Sequence, residues 1–354
     1  MRAVTFHDWM KAALYDPSSG YYQRSDRERW GRAGDYRTSP ERSALFAATF
    51  ARYFAGLYEE LGRPREWTIV ECGAGGGDFA VGVLETLSRR FPVVFDATRY
   101  VVYDVSKDAL RRTQERLVDL DNRVEVTSSF DEIRVDNGIF FSNELLDAFP
   151  VHRVVQTAQG LAELYVNLDT KSWLEGPLST PRLAEFCQNY SLELAVGQTI
   201  EINLEIDDWF ARVASGLANG FVITVDYGAE SVELYDPTLR PNGTLRGFRR
   251  HEFVDDILAQ PGECDITASV NWTQVKTVGE LVGLNVVDFA FQDKFLLNAG
   301  LLVELEYQLS LAKTESEKAA LTIGAREMIM PGGMASSFQV LVQRRVEEEE
   351  EDVA

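Results

Sequence analysis

The sequence predicts an α/β fold with a mostly parallel sheet and helices on both faces, and three observations carry that prediction. A glycine-rich run, Glu71-Cys72-Gly73-Ala74-Gly75-Gly76-Gly77-Asp78, directly follows the β-prone segment Trp67–Val70. It opens into Phe79, Val83, Leu84 and Leu87, apolar residues at helical spacing. From there β-like and helix-like segments alternate to Asp226, the pattern of parallel strands joined by crossover helices.

The elements follow in order. Thr5 to Ala13 reads as a short amphipathic helix with Phe6, Trp9, Met10 and Ala13 on one side, broken by Asp16-Pro17-Ser18-Ser19-Gly20. Ser39-Pro40-Glu41 has the chemistry of a helix start, and that helix is expected to run to about Leu61, with Gly62 as its stop. Core strands are expected near Thr68–Glu71, Tyr100–Asp104, Arg123–Thr127, Gly138–Ser142 and Phe221–Asp226. Helices near Phe79–Phe91, Lys107–Leu117 and Leu204–Leu217 accompany them, and Ala218-Asn219-Gly220 reads as a helix stop. Val151–Gln156 and Leu161–Asn167 flank Thr157-Ala158-Gln159-Gly160 and read as a β-hairpin inserted after the fourth strand. Tyr227–Val275 is turn-rich and shows no regular pattern. Val286–Phe291 reads as a strand, Leu301–Leu311 as a helix and Phe338–Val342 as a strand. The expected organisation is an N-terminal helical segment over 1–65, a core over 66–346 with insertions near 151–200 and 227–280, and a disordered acidic tail over 347–354.

Bulk properties exclude several classes. A formal net charge of -21 over 354 residues argues against a nucleic-acid partner, because phosphate contacts need clustered Lys and Arg. Cys72, Cys187 and Cys264 are scattered with no C-x-x-C pair, which suggests a reducing compartment. His7, His152 and His251 lie too far apart in sequence for a histidine-based metal site, so no metal is expected. No apolar stretch approaches ~20 residues, so no membrane span is expected. The N-terminus shows neither a signal nor a transit peptide pattern, and a cytoplasmic location is the expectation. A homodimer is compatible with the sequence but not specified by it.

Strand, glycine loop and helix form the geometry in which bare backbone closes over a nucleotide-like ligand. An acid at the end of the second strand, Asp104, can accept both hydroxyls of a ribose. The ligand is therefore an adenosine-bearing cofactor. A dinucleotide loop counted from Gly73 would need a third glycine where Asp78 stands, and a carboxylate there repels a pyrophosphate. Counted from Gly75, Gly75-x-Gly77-x-x-Ala80 fits loosely, so an NAD(P)-dependent oxidoreductase stays open. The better fit is Glu71-x-Gly73-x-Gly75-x-Gly77, which is similar to the first motif of class I S-adenosylmethionine-dependent methyltransferases. That ligand carries no phosphate, and an acidic lining made by Glu71 and Asp78 favours its sulfonium and ammonium.

Further strings sharpen the resemblance. They are Gly34-Asp35-Tyr36-Arg37-Thr38-Ser39-Pro40-Glu41, then Ser142-Asn143-Glu144-Leu145-Leu146-Asp147-Ala148-Phe149-Pro150-Val151, then Asp226-Tyr227-Gly228. Gly243-Thr244-Leu245-Arg246-Gly247-Phe248 and Pro261-Gly262-Glu263-Cys264-Asp265-Ile266-Thr267 follow. In this order and spacing the chain resembles the MidA family of class I methyltransferases over nearly its whole length. The resemblance implies a Rossmann-like methyltransferase fold with a mostly parallel seven-stranded sheet and S-adenosylmethionine as cofactor. It also implies methylation of an arginine on a protein partner, such as a respiratory complex I subunit. Cys72 and Ala74 stand where the family typically has Leu and Pro, and Asp104 where it usually has Glu.

The expected cofactor-binding residues are Ser39, Glu71, Gly73, Gly75, Asp104, Phe130, Asp131 and Asn143. Ser39 would act through a helix N-terminus facing the cofactor carboxylate. Phe130 and Asp131 follow the third strand, at the edge that packs around adenine in class I methyltransferases. Asn143 would hold the methionine end of the cofactor or the substrate through its amide. Glu144 and Asp147 follow the fourth strand, and a helical turn there would set both acids on one face to grip a guanidinium. They are the expected catalytic pair. Two other readings remain: a catalytically silent S-adenosylmethionine-binding assembly chaperone, and a methyltransferase acting on a small molecule or another side chain.

Overall fold

The computed structural model describes residues 2–24, 44–120, 122–250, 252–330 and 337–346. The expected helix start at Ser39-Pro40-Glu41 and the acidic tail from Glu347 lie outside the described residues. The chain forms two compact units. One comprises 37–143, 210–226 and 279–354 and is called the sheet unit below; the other comprises 1–36, 144–209 and 227–278 and is called the hairpin unit.

The sheet unit is built on seven strands: Trp67–Cys72, Thr98–Tyr103, Val124–Thr127, Val135–Asn143, the strand beginning at Leu217, Asn285–Phe291 and Phe338–Arg345. Numbered along the chain, their order across the sheet is third, second, first, fourth, fifth, seventh, sixth. The pairs first–second, second–third, first–fourth and fourth–fifth are parallel, and the sixth and seventh strands are antiparallel. All six residues of the first strand are buried, as expected of a strand covered on both faces. The order reverses between the first and fourth strands, which pair through Cys72 and Ser142 at their carboxyl ends. Open α/β sheets bind ligands at such a reversal.

Aromatic packing fixes the helices on this sheet. Phe79 of helix Asp78–Arg90 stacks on Phe141 of the fourth strand, with centroids 4.2 Å apart and planes at 7°. Phe50 of helix Ala44–Glu60 meets the same Phe141 ring at 5.0 Å. The two helices approach so closely that a Cβ on Gly82 would stand 2.6 Å from the Ala47 methyl. Glu304 of helix Leu301–Leu311 is buried and paired with Arg52 at 2.8 Å and Arg90 at 3.3 Å. The expected stop at Ala218-Asn219-Gly220 is corrected: the preceding helix ends at Gly216, and these residues are already strand. Gly220 is there for close approach, since its Cβ would meet the Gly138 carbonyl oxygen at 2.0 Å.

The hairpin unit is mostly antiparallel, with one short parallel pair between Gly228–Ala229 and Val270–Asn271. His152–Thr157 and Gly160–Asn167 form the expected hairpin, closing at Thr157 and Gly160. Strands Ala3–Thr5, Ser172–Gly176 and Thr199–Ile202 complete its sheet. Helix Phe6–Tyr15 is capped by Thr5, whose side chain accepts from the Asp8 N–H at 3.1 Å. It buries Phe6, Trp9, Met10, Ala13 and Leu14 in a core that also holds Val151, Val166 and Ile266. The stretch that showed no regular pattern forms a second antiparallel sheet from Glu252–Phe253, Arg246–Arg249 and Asp265–Thr267. No helix among the described residues is long and apolar enough to cross a membrane.

Candidate active site

The glycine run leaves the first strand at the point where the strand order reverses. Gly73, Gly75 and Gly77 have φ of 74°, 54° and 79°, the left-handed region that a side chain disfavours. A Cβ on Gly77 would also stand 2.8 Å from the Thr113 hydroxyl. The Gly73 N–H donates to the Tyr103 carbonyl at 2.9 Å, and the Gly75 N–H donates to Asp104 Oδ2 at 3.2 Å. Asp104 is thus fixed at the carboxyl end of the second strand, its other oxygen accepting the Ser106 N–H at 2.8 Å. Asn143 ends the fourth strand opposite Val225 of the fifth, at the same sheet edge.

Glu71 sits deeper. It is 4% exposed and accepts the Tyr100 hydroxyl at 2.8 Å. Burial pushes its carboxyl up to about 8, the charges of Asp104 and Asp78 add to this, and the Tyr100 hydrogen bond opposes it. Burial therefore makes Glu71 hold its proton more tightly than an ordinary carboxyl does. Asp78 is countered as well, because Arg116 donates to Asp78 Oδ1 at 2.7 Å and to the Gly76 carbonyl at 2.8 Å. Neither Tyr100 nor Arg116 was singled out from sequence; only the fold sets them on the loop.

Phe130 is buried beside Tyr103, their rings edge to face at 4.9 Å, and the Arg212 guanidinium lies 4.7 Å over it. Asp131 is exposed and ion-paired to the same Arg212 at 2.8 Å. Ser39 lies outside the described residues.

The expected catalytic acids belong to the hairpin unit. Leu146–Ala148 forms one 3₁₀ turn, and Glu144 lies before it with φ of 53°. The i, i+3 geometry expected of a continuous helical turn therefore does not apply to Glu144 and Asp147. Glu144 is half-buried, whereas Asp147 is 5% exposed. The turn is pinned by backbone contacts: Tyr15 donates to the Ala148 carbonyl at 2.9 Å and Asn203 to the Leu146 carbonyl at 3.3 Å. Burial, then the neighbouring Asp265 charge, push the Asp147 carboxyl up, and a hydrogen bond from Tyr227 opposes them.

The glycine cradle and the strand-end Asp104 suit an adenosine-bearing ligand. Fold and cradle together define a class I S-adenosylmethionine-dependent methyltransferase. A family of S-adenosyl-L-methionine-dependent methyltransferases matches residues 49–290, and the chain belongs to this MidA-like family. A homologue from Burkholderia thailandensis, solved with S-adenosyl-homocysteine bound, is 28% identical with a TM-score of 0.85, over 98% of this chain and 89% of that one. Among curated relatives, mitochondrial protein arginine methyltransferase NDUFAF7 of Rattus norvegicus is 27% identical over 95% of this chain and 79% of its own length. The human protein of that name is 26% identical over 95% of this chain and 78% of its own. These relatives are named mitochondrial, which overturns the expectation of a cytoplasmic protein.

Proposed function

We infer that the enzyme methylates an arginine side chain of a protein partner, such as a respiratory complex I-type subunit, with Asp147 and Glu144 serving the acceptor. The observation that carries this reading is the burial of Asp147 on a pinned turn directly after the fourth strand. A guanidinium stays protonated at neutral pH, so its nitrogens are poor nucleophiles until a carboxylate draws the positive charge aside. Bound S-adenosylmethionine supplies an electrophilic methyl group whose sulfur departs as a neutral thioether. Asp147 would orient the planar fork and accept the proton that the guanidinium releases as the new N–C bond forms. Glu144, nearer solvent, would hold the outer N–H groups. Asp104, Gly73, Gly75 and Asn143 would hold the cofactor, with Phe130 beside the adenine. The names of the curated relatives support the arginine assignment.

The test is incubation of the enzyme with methyl-labelled S-adenosylmethionine and captured partner proteins, followed by mapping of methylated residues. Label on arginine, lost in Glu144→Gln and Asp147→Asn, is the expected result. Label on lysine or on a small molecule only would overturn the arginine reading. Partner capture with no label in any enzyme form would favour the chaperone reading.

A further inference from the structure

One helix grips the glycine loop from both of its ends. Helix Lys107–Arg116 starts at Ser106, whose hydroxyl accepts the Ala109 N–H at 3.4 Å. The Ser106 N–H is held by the same Asp104 carboxylate that accepts the Gly75 N–H. At the other end, Thr113 and Arg116 are three residues apart and so share a helix face, which meets the loop. Thr113 is buried against Gly77, where a Cβ would stand 2.8 Å from its hydroxyl and 3.2 Å from its Cα. The Arg116 guanidinium is two-pronged: Nη1 donates to the Gly76 carbonyl at 2.8 Å and Nη2 to Asp78 Oδ1 at 2.7 Å. The Gly77 N–H, on the other side of the same peptide, donates to the Ala74 carbonyl at 3.0 Å. The peptide between Gly76 and Gly77 is therefore fixed at both its oxygen and its nitrogen.

We propose that Arg116 is a positioning residue of the cofactor site: its two-pronged contact fixes the Gly76–Asp78 bend in the shape that receives S-adenosylmethionine, and it acts through the loop. The proposal rests on the cofactor class and is independent of the arginine reading. Gly75 and Gly77, at φ of 54° and 79°, permit the bend but do not hold it, because glycine leaves other backbone conformations open. A loop ordered in advance takes nothing from ligand affinity, whereas a loop that must order on binding does. The guanidinium suits the task because its N–H groups sit in a fixed fork and can serve a carbonyl and a carboxylate at once. Its charge stands in the last turn of one helix and that of Asp78 in the first turn of the next, so each also favours its own helix dipole. Stability alone does not account for the contact. The Arg116 and Asp78 side chains are 44% and 35% exposed, and an ion pair so exposed adds little to the fold.

The experiment is calorimetric titration of the full chain with S-adenosylmethionine and S-adenosyl-homocysteine, with thermal unfolding of each ligand-free protein alongside. Arg116→Ala is expected to weaken both ligands about tenfold, while the ligand-free unfolding temperature stays within about 2 °C of wild type. Arg116→Lys keeps the charge and loses the fork, so it should recover only part of the affinity. Asp78→Ala removes one prong and should cost less. In the double variant the loss should be no greater than in Arg116→Ala alone, because both side chains act through one bend. Affinities within about twofold of wild type in Arg116→Ala would overturn the proposal. So would a loss in the double variant equal to the product of the single losses, the mark of independent contacts. A change confined to one of the two ligands, which differ in the sulfonium charge, would also be adverse, since it would set Arg116 acting on the ligand rather than on the loop. Should Arg116→Ala lower the unfolding temperature markedly, Arg116→Lys decides: stability restored with affinity still several-fold weak supports the fork, and both restored together counts against it.

Discussion

Two buried carboxyls, one in each unit, show how burial alone leaves a role unassigned. Glu71 of the sheet unit and Asp147 of the hairpin unit are each about 5% exposed or less, and burial raises both. Glu71 meets a tyrosine hydroxyl that ties the first strand to the second. Asp147 stands beside another acid on a turn held by three backbone contacts. The first acid sits beside a hydroxyl donor within the sheet, and the second sits on a pinned turn next to Asp265. Desolvation raises a carboxyl in either setting; the neighbours decide whether the result is a bolt or a receptor.

The largest effect expected from this contrast is at Asp147. Asp147→Asn should lower methyl transfer by about 100-fold or more, the size of a lost acid–base and orienting group, with S-adenosylmethionine affinity within about threefold of wild type by calorimetry. A parallel fall in cofactor affinity would place Asp147 with the cofactor rather than the acceptor. The next effect is on stability. Glu71 keeps its proton in the fold up to about 8 but loses it in the unfolded chain near the ordinary value of 4.5. The folded form therefore binds more protons between those values, and stability falls as pH rises through that window. Glu71→Gln should remove this slope, a difference of at most about 5 kcal/mol by chemical denaturation near pH 8. A wild-type curve flat over the same window would show that Glu71 is ionised in the fold.

A smaller change is expected at the glycine cradle. Gly77→Ala forces a left-handed φ of 79° on a residue with a Cβ, 2.8 Å from the Thr113 hydroxyl. It should cost about 1–2 kcal/mol of stability and weaken S-adenosylmethionine binding about tenfold, leaving turnover at saturating cofactor nearly intact. Unimpaired binding would show that the loop tolerates a side chain where the ligand approaches. The smallest effect is a control. Thr314 and Glu317 form a capping box at the start of helix Glu315–Ile329. Thr314→Ala should lower stability by about 1 kcal/mol by thermal unfolding and change neither binding nor transfer.

What the sequence determined by itself was local and periodic. The glycine run, the acid ending the second strand, the hairpin about Thr157 and Gly160, and the alternation of strands and helices each depend on neighbouring residues, so they were legible along the chain. An adenosine-bearing ligand followed from the loop and the strand end, whereas the choice of S-adenosylmethionine over a dinucleotide came from the resemblance to class I methyltransferases. The tertiary structure decided everything that needs distant residues to meet. It buried Glu71 against the Tyr100 hydroxyl, countered Asp78 through Arg116, turned Ala218-Asn219-Gly220 from a stop into strand, and set Asp265 beside Asp147. Charge state and pairing are properties of surroundings, and in this chain the surroundings of Asp147 come from four separated segments that only folding brings together.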